Sequence, residues 1–252
     1  MSSALFTASA QHDMIEQLAA LETPVGATLR CSFLSFESCA GTSSVAKLVM
    51  RQLMRGRRDR ALMVDTAAGQ AAAGILTAGA RPPKAVLERL PQEIWPWFAY
   101  RDGMTALAFT QAGAEDWTGT VGPVVKHFDV VGTDWGARSF DAAIQVAETG
   151  QRACIMGTFE RDSAEAALAF ATAVSRSQSR CRPVVVLSDV TRCRSTWPRI
   201  IAERAEVPVV AIPFDQALAQ GRPASPGTQR RALQVAAVLA SDPAATGTEG
   251  WL

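Results

Sequence analysis

The chain has 252 residues, carries a formal net charge of +1 and is 48% hydrophobic, so it can bury one large core. A nearly neutral chain has no overall field that attracts nucleic acid or an anionic membrane, so any such partner would need a local basic patch. The five cysteines are scattered and form no Cys-x-x-Cys pair and no cluster with the two histidines. This argues against a zinc site, a disulfide framework and a Cys-His nucleophile pair.

The beginning of the chain lacks the basic start and long apolar run of a signal sequence, and no segment reaches the ~20 apolar residues that span a bilayer. The last residues also lack a basic amphipathic helix. The sequence therefore predicts a soluble, cytoplasmic protein with no direct membrane insertion. We expect an N-terminal extension over residues 1–28, one domain over residues 29–240 and a flexible C-terminal tail over residues 241–252.

Short apolar runs alternate with amphipathic segments along the domain. The runs predict strands at Leu29–Phe36, Ala61–Asp65, Met104–Thr110, Phe128–Asp134, Arg152–Gly157, Pro183–Asp189 and Val207–Pro213. The amphipathic segments predict helices at Ser43–Arg55, Ser163–Ser175, Trp197–Ala205 and Thr228–Leu239. This alternation indicates an α/β three-layer sandwich, in which helices cover both faces of a mostly parallel sheet of about seven strands.

The stretch FESCAGTSSVAKLV, from Phe36 to Val49, connects the first strand to the first helix of the domain. It has the rhythm of a phosphate-binding loop, in which backbone N–H groups surround phosphate oxygens and a hydroxyl at the helix start holds Mg²⁺. Gly41, Ser43 and Ser44 suit the loop and hydroxyl roles, whereas Thr42 occupies the place of the lysine. A plain Ser/Thr-rich helix start is the alternative interpretation.

The second and fourth of the apolar runs each end in an aspartate. Asp65 closes the second predicted strand, and Asp134 closes the fourth. In parallel sheets, ligands bind beyond the carboxyl ends of the strands, so these carboxylates and the helix start have the arrangement that holds Mg²⁺ beside a phosphate. Taken singly, each aspartate is equally well explained as a helix cap or a turn residue.

With these features in order, the sequence resembles the MinD/ParA family of deviant P-loop ATPases. The segment SFESCAGTSSVAKLV is similar to the family loop KGGxGK[ST]T, ALMVDTAAGQ to its DxDxQG segment, and FDVVGTDWG to its Walker B strand. VPVVAIPFDQALAQG is similar to the late strand and loop beside the adenine. The resemblance implies a nucleotide site and a metal site. The nucleotide site would comprise Gly41, Thr42, Ser43, Ser44, Pro213 and Asp215, and the metal site Ser43, Asp65 and Asp134.

Three departures from the family pattern bear on activity. Glu37 stands where the family has its signature lysine, Thr42 replaces the loop lysine, and Ala67 falls where the family has the carboxylate that orients the attacking water. A carboxylate at position 37 that faced phosphates would repel them. Phosphoryl transfer depends on charge stabilisation and positioning, so we expect a pseudo-ATPase with no catalytic residues. Its cofactor would be none, or weakly bound ATP or ADP with Mg²⁺.

The resemblance also suggests a role. Degenerate family members resemble TadZ/CpaE-like proteins that localise pilus machinery, and other actinobacterial relatives accompany type VII secretion or septum placement. We therefore expect a spatial organiser or adaptor for a cell-envelope machine. It would act through protein contacts, as a homodimer or as a heterodimer with an active paralogue, and a partner would recruit it from the cytoplasm to the membrane or cell pole.

Two other functions stay open. A working ATPase switch with a nonstandard loop would need a substitute lysine, and Lys47 is the nearest in sequence. A ParA-like DNA binder would use the basic runs Met50–Arg60 and Ser175–Arg182, which also suit solvated helix ends. Separately, the aromatic segment Pro91–Gly103 is predicted to form part of a partner or self-association surface.

Overall fold

The structure is a computed structural model that describes residues 13–22, 27–55, 60–66, 80–101, 103–108, 113–177, 180–193 and 195–241. Its strands are β1 (Leu29–Ser35), β2 (Ala61–Asp65), β3 (Phe98–Arg101), β4 (Met104–Ala108), β5 (Val130–Ala137), β6 (Arg152–Thr158), β7 (Arg182–Ser188) and β8 (Val209–Ile212). Its α-helices are α1 (residues 13–22), α2 (Thr42–Leu53), α3 (Lys84–Leu87), α4 (Ala114–Thr120), α5 (Gly122–Val125), α6 (Phe140–Ala147), α7 (Arg161–Arg176), α8 (Trp197–Arg204), α9 (Gln216–Ala219) and α10 (Pro226–Ala240). A 3₁₀-helix spans Gln92–Trp97.

The eight strands form one sheet in the order β3-β4-β2-β5-β1-β6-β7-β8. All neighbours are parallel except β3 and β4, which pair antiparallel. The α/β sandwich and all seven predicted strands are confirmed, and β3 is an additional edge strand inside the aromatic segment. The sequence did not reveal it because β3 has only four residues and joins β4 through a tight turn, where Gly103 has a φ of 83°.

Helices cover both faces of the sheet. On one face, α2 buries Val45, Val49 and Leu53, which recur at helical spacing, and packs with α10 and with Leu21 of α1. On the other face, helices α3 to α8 pack over a second apolar cluster that contains Trp135. Because both faces are covered, the central strands are mostly apolar, although Ser32 on β1 and Thr133 on β5 are buried polar residues.

Within the described part of the chain, no helix is long and apolar enough to cross a membrane. The predicted N-terminal extension contains α1, whose Leu21 belongs to the apolar cluster beneath α2 and α10. The predicted tail lies outside the described residues except for Ser241. The domain boundaries at residues 28 and 240 stay predictions.

Candidate functional site

The central strands β1, β5 and β2 are neighbours, and their carboxyl ends bring the predicted metal-binding residues together. Asp65 on β2 and Asp134 on β5 are direct partners in the parallel ladder, so their side chains point to the same face of the sheet. That face is the one covered by α2, which approaches closely because β5 has a glycine there. A Cβ atom on Gly132 would lie 2.4 Å from Sδ of Met50 on α2.

The loop from Phe36 to Gly41 keeps the backbone shape of a glycine-rich turn with few glycines. Gly41 has a φ of 82° and Cys39 a φ of 66°, both in the left-handed region. Gly41 is the N-cap residue of α2 and has no side chain that could cap the helix. The first amides of α2 are therefore left without a side-chain cap, which is the condition under which a helix start binds an anion.

The three residues that begin α2 differ in exposure. Thr42, which takes the place of the loop lysine, is buried, whereas Ser43 is partly buried and Ser44 is exposed. A Cβ atom on Gly41 would lie 3.3 Å from the Ser188 hydroxyl at the end of β7, so the loop passes close to that strand. The predicted phosphate-binding residues thus lie together at the carboxyl end of β1.

Asp134 is the most unusual polar residue of the site. Its side chain is completely buried, with 0% of the residue exposed. Oδ1 accepts a hydrogen bond of 3.0 Å from the Gly136 N–H, whereas Oδ2 is buried and has no hydrogen-bond partner among the described residues. Burial raises the pKa of Asp134; Asp65 adds to the rise, whereas Ser43, Gly136 and Lys47 oppose it. A buried carboxylate oxygen without a partner is costly unless a ligand satisfies it.

The sequence interpretation missed Arg138, which follows the end of β5. The Arg138 backbone N–H donates to the carbonyl of Ser35 at 2.8 Å, and its Nη2 donates to the Thr66 hydroxyl at 3.2 Å. The Thr66 hydroxyl in turn donates to the carbonyl of Asp134 at 2.8 Å. Arg138 therefore spans the ends of three adjacent strands above Asp134. The only sequence signal was a cation four residues after a strand-end aspartate.

Glu37 has a different environment from the one expected for a carboxylate facing phosphates. Its carboxylate accepts a short hydrogen bond from the Ser163 hydroxyl in the first turn of α7. The same hydroxyl accepts from the Thr158 N–H at 2.8 Å, and the Ser35 hydroxyl donates to the Glu37 carbonyl at 2.9 Å. Glu37 thus ties the loop to the neighbouring strand-helix connection. We therefore expect the Glu37 carboxylate to repel a phosphate in the loop less strongly, because it is held at α7 by Ser163.

Asp215, predicted beside the adenine, acts as a helix cap. Its Oδ1 accepts from the backbone N–H groups of Ala217 at 2.9 Å and Leu218 at 3.1 Å, and its Oδ2 accepts from the Ser225 N–H at 2.7 Å. Although burial opposes it, these bonds and one from Thr228 hold the pKa of Asp215 below its usual range. Both oxygens are therefore engaged in holding the starts of α9 and α10 together.

The loops after β7 and β8 form the other end of the predicted nucleotide site. Pro213 is exposed directly after β8, which is separated from β1 by β6 and β7. The Arg192 guanidinium lies 4.9 Å from the centre of the Phe214 ring and donates to Gln216 at 2.6 Å. These contacts join the two loops, so Pro213 and Asp215 lie on a braced edge away from Asp134.

The predicted metal site contains two carboxylates and one hydroxyl. Within the described residue ranges, no group of three or more His, Cys, Asp and Glu side chains is arranged to hold a metal. Mg²⁺ often takes only one or two protein carboxylates and completes its shell with water and phosphate oxygens, so Ser43, Asp65 and Asp134 fit that donor set. Ala67, the position of the absent water-orienting carboxylate, lies outside the described residues.

The two basic runs considered for DNA binding contain arginines paired with carboxylates. Arg60 forms an ion pair of 2.8 Å with Asp129, and Arg176 forms one of 3.1 Å with Glu206. Residues 56–59 and 178–179 of these runs lie outside the described residues. The paired arginines present less unbalanced positive charge to a phosphate backbone than the sequence alone indicated.

Solved structures of similar fold include MinD and ParA family proteins. The cell division ATPase MinD from Pyrococcus furiosus matches with a TM-score of 0.61 at 18% identity, covering 84% of this chain and 96% of that chain. A ParA family ATPase from Chlorobium tepidum TLS matches with a TM-score of 0.58 at 17% identity, covering 84% and 98%. The septum site-determining protein MinD from Pyrococcus horikoshii OT3, complexed with Mg-ADP, matches with a TM-score of 0.62 at 14% identity, covering 84% and 94%.

No protein-family model and no curated protein matches the sequence. The similarity is therefore carried by the order and direction of the strands and helices rather than by sequence identity. Together with the strand order and the loop at the carboxyl end of β1, it establishes that the chain has the P-loop fold of the MinD and ParA ATPases.

Proposed function

We propose that this protein is a non-hydrolysing pseudo-ATPase that acts as a spatial organiser or adaptor for a cell-envelope machine, in secretion, pilus assembly or septum placement. The observation that carries the proposal is Thr42, a buried neutral side chain at the first residue of α2, where the resembled family has its loop lysine. Ser43, Asp65 and Asp134 keep the donors for Mg²⁺. The site therefore combines a retained binding scaffold with a missing charge.

The missing charge bears on hydrolysis more than on binding. Charge stabilisation of the transferred phosphoryl group supplies most of the rate in this chemistry, so a neutral Thr42 should cost several decades of rate. Binding also draws on the uncapped amides of α2 and on Mg²⁺ held at Ser43 and Asp134, which do not depend on the lysine. We infer weak binding of ATP or ADP with Mg²⁺, without turnover.

Exposed apolar side chains beside this site support a role in protein contacts. On α6, Phe140 is 48% exposed and Ile144 is 42% exposed, and they lie one helical turn apart. Trp97, at the end of the 3₁₀-helix in the aromatic segment, is 46% exposed, whereas Trp95 donates from Nε1 to the Leu90 carbonyl at 3.0 Å and packs on the core. Aromatic and aliphatic side chains in such positions are enriched at interfaces.

These surfaces fit the proposed partners. Helix α6 begins two residues after Arg138, so its exposed pair adjoins the nucleotide edge of the sheet. A homodimer, or a heterodimer with an active paralogue, would bury this edge. A component of the envelope machinery would bind at a different surface, for which the exposed Trp97 side chain is available. Recruitment to a membrane or cell pole would then follow from the partner.

The test of the catalytic part is steady-state ATP turnover with Mg²⁺, together with calorimetric titration of ATP and ADP with and without Mg²⁺. We expect the wild-type chain to show the same background turnover as Asp134→Ala and Ser43→Ala. We expect Thr42→Lys to bind nucleotide more tightly than wild type, because it restores the loop charge. Wild-type turnover above background that disappears in Asp134→Ala or Ser43→Ala would contradict the proposal.

The test of the adaptor part is the oligomeric mass of the purified chain, measured by light scattering with and without Mg-ATP. We expect Ile144→Ser to weaken self-association, because it removes an exposed apolar side chain beside the site. Ile15→Ser is the matched control, since Ile15 on α1 is 62% exposed. If wild type is a dimer and Ile144→Ser has the same mass, α6 does not contribute to the interface.

A further inference from the structure

We propose that Arg138 binds the nucleotide phosphates, and that its guanidinium supplies the positive charge that the loop at Thr42 lacks. The inference rests on the nucleotide binding included in the proposed function. In this inference the cation that binds phosphate comes from the connection after β5. It takes the role of a lysine in the loop between β1 and α2.

The backbone places Arg138 at the centre of the carboxyl edge of the sheet. Its N–H donates to the carbonyl of Ser35, the last residue of β1 before the loop begins. Ala137, the residue before it, is the register partner of Ser35. Arg138 thus starts directly beside the loop that leads to α2, and its side chain extends from there toward Thr66, which follows β2.

The guanidinium is held in place by neutral groups. Nη1 donates to the Ala137 carbonyl at 2.8 Å, Nη2 donates to the Thr66 hydroxyl at 3.2 Å, and the guanidinium carbon lies 6.0 Å from the centre of the Trp135 ring. An arginine has five N–H donors, so these two bonds leave three that make no hydrogen bond to a described residue. A half-buried arginine fixed by neutral oxygen atoms keeps its full charge available to an anion.

The charges around Arg138 point to a metal-bound anion as the ligand. The Thr66 hydroxyl accepts from Nη2 of Arg138 and donates to the Asp134 carbonyl, so Arg138 and Asp134 share one neighbour. Asp65 and Asp134 are register partners on β2 and β5, so the same edge carries two carboxylates. The unpartnered Oδ2 of Asp134 favours a cation, while the free donors of Arg138 and the uncapped start of α2 favour an anion. A Mg²⁺–polyphosphate supplies both charges at once.

Arginine also suits this task geometrically. Its planar fork can donate two parallel hydrogen bonds to one phosphate group, which a lysine cannot do. Because the fork is already braced by Ala137 and Thr66, less side-chain freedom would be lost when the ligand binds. The polyphosphate, rather than the base, is therefore the part of the ligand that Arg138 would recognise.

The experiment is calorimetric titration of ATP and of inorganic tripolyphosphate, each with Mg²⁺, into the wild-type chain, Arg138→Gln, Arg138→Lys and Arg176→Gln. We expect Arg138→Gln to weaken both ligands about tenfold to a hundredfold, because charge-assisted hydrogen bonds are lost. Arg138→Lys should recover part of the affinity through its charge. Arg176→Gln is the matched control. Arg176 is the last residue of α7, at the end of the helix away from the Glu37 contact, and it pairs with Glu206.

The outcomes separate this inference from the proposed function. Equal affinities for wild type and Arg138→Gln, with both chains folded by circular dichroism, would overturn the inference and leave the pseudo-ATPase proposal standing. A wild-type chain that binds neither ligand would also overturn it, while the adaptor role would still rest on its own oligomer test. Turnover of ATP by wild type would contradict the proposed function, and the Arg138 comparison would remain readable from tripolyphosphate.

Discussion

Asp134 lies near the carboxyl end of β5 and Asp215 follows the carboxyl end of β8, but their hydrogen bonding and burial differ. Asp215 has both oxygens bonded to backbone N–H groups at the starts of α9 and α10, and its pKa is lowered. Asp134 is completely buried, has one oxygen without a hydrogen-bond partner in the described part of the chain, and its pKa is raised. A satisfied carboxylate stabilises the fold, whereas a buried unsatisfied one costs stability.

The largest expected effect is on the satisfied aspartate. Asp215→Ala should lower the free energy of unfolding by about 2 to 3 kcal/mol, because it removes the acceptor of three backbone N–H groups. Urea denaturation at pH 7 measures this loss. Asp215→Asn keeps one acceptor oxygen and should lose less, so equal losses for the two variants would contradict the capping role.

The pH dependence of this loss follows from the lowered pKa of Asp215. Its stabilisation should be fully present above the ordinary carboxyl pKa of about 4 and should decline as the pH falls toward the lower folded value. The difference between wild type and Asp215→Ala should therefore shrink below about pH 4. A difference that is constant from pH 7 to pH 3 would show that the carboxylate charge is not involved.

The unsatisfied aspartate should give a smaller effect of the opposite sign. Asp134→Asn should raise the free energy of unfolding by about 1 to 2 kcal/mol at pH 7 without Mg²⁺, because it removes a buried charge. Since the folded pKa of Asp134 is raised, its penalty grows as the pH rises from about 4 through the folded value. The gain should thus disappear in acid. The stabilisation by Asp215 also declines in acid, so the two aspartates are expected to differ in the sign of their effect at pH 7.

Denaturation of Asp134→Asn in the presence of Mg-ATP tests whether Asp134 is a metal ligand. Mg-ATP should stabilise wild type and have less effect on the variant, because the carboxylate is a proposed metal ligand. If Asp134→Asn is less stable than wild type at pH 7 without ligand, the carboxylate is structural, and the contrast with Asp215 fails.

The smallest expected effect concerns the loop between β1 and α2. Cys39 has a φ of 66°, a conformation that costs a non-glycine residue energy, so Cys39→Gly should raise the free energy of unfolding by about 0.5 to 1 kcal/mol. Ser38→Gly is the control; Ser38 has no positive φ, so added glycine freedom should make that variant slightly less stable. A loss of stability in Cys39→Gly equal to that in Ser38→Gly would mean that the loop is not strained at position 39.

Particular residues show how far the sequence led toward the site. Gly41, Ser43, Asp65 and Asp134 were predicted to meet at one edge, and they do, because each directly follows or precedes an apolar run whose parallel direction sets its end. Arg138 was not predicted. Its importance depends on Thr66, which is close only because β2 and β5 are paired.

Hydrophobic runs and local residue types are enough to predict where the seven main strands lie, which loop joins β1 to α2, and that position 42 has no lysine. The contacts that the charged side chains make at the carboxyl edge of the sheet form only in the folded protein. Glu37 meets Ser163, Asp215 meets Ser225, and Asp134 keeps an oxygen without a partner, through contacts that depend on strand order and burial. The pairing of Glu37 with Ser163 joins residues 126 positions apart in the chain, where no local pattern records it.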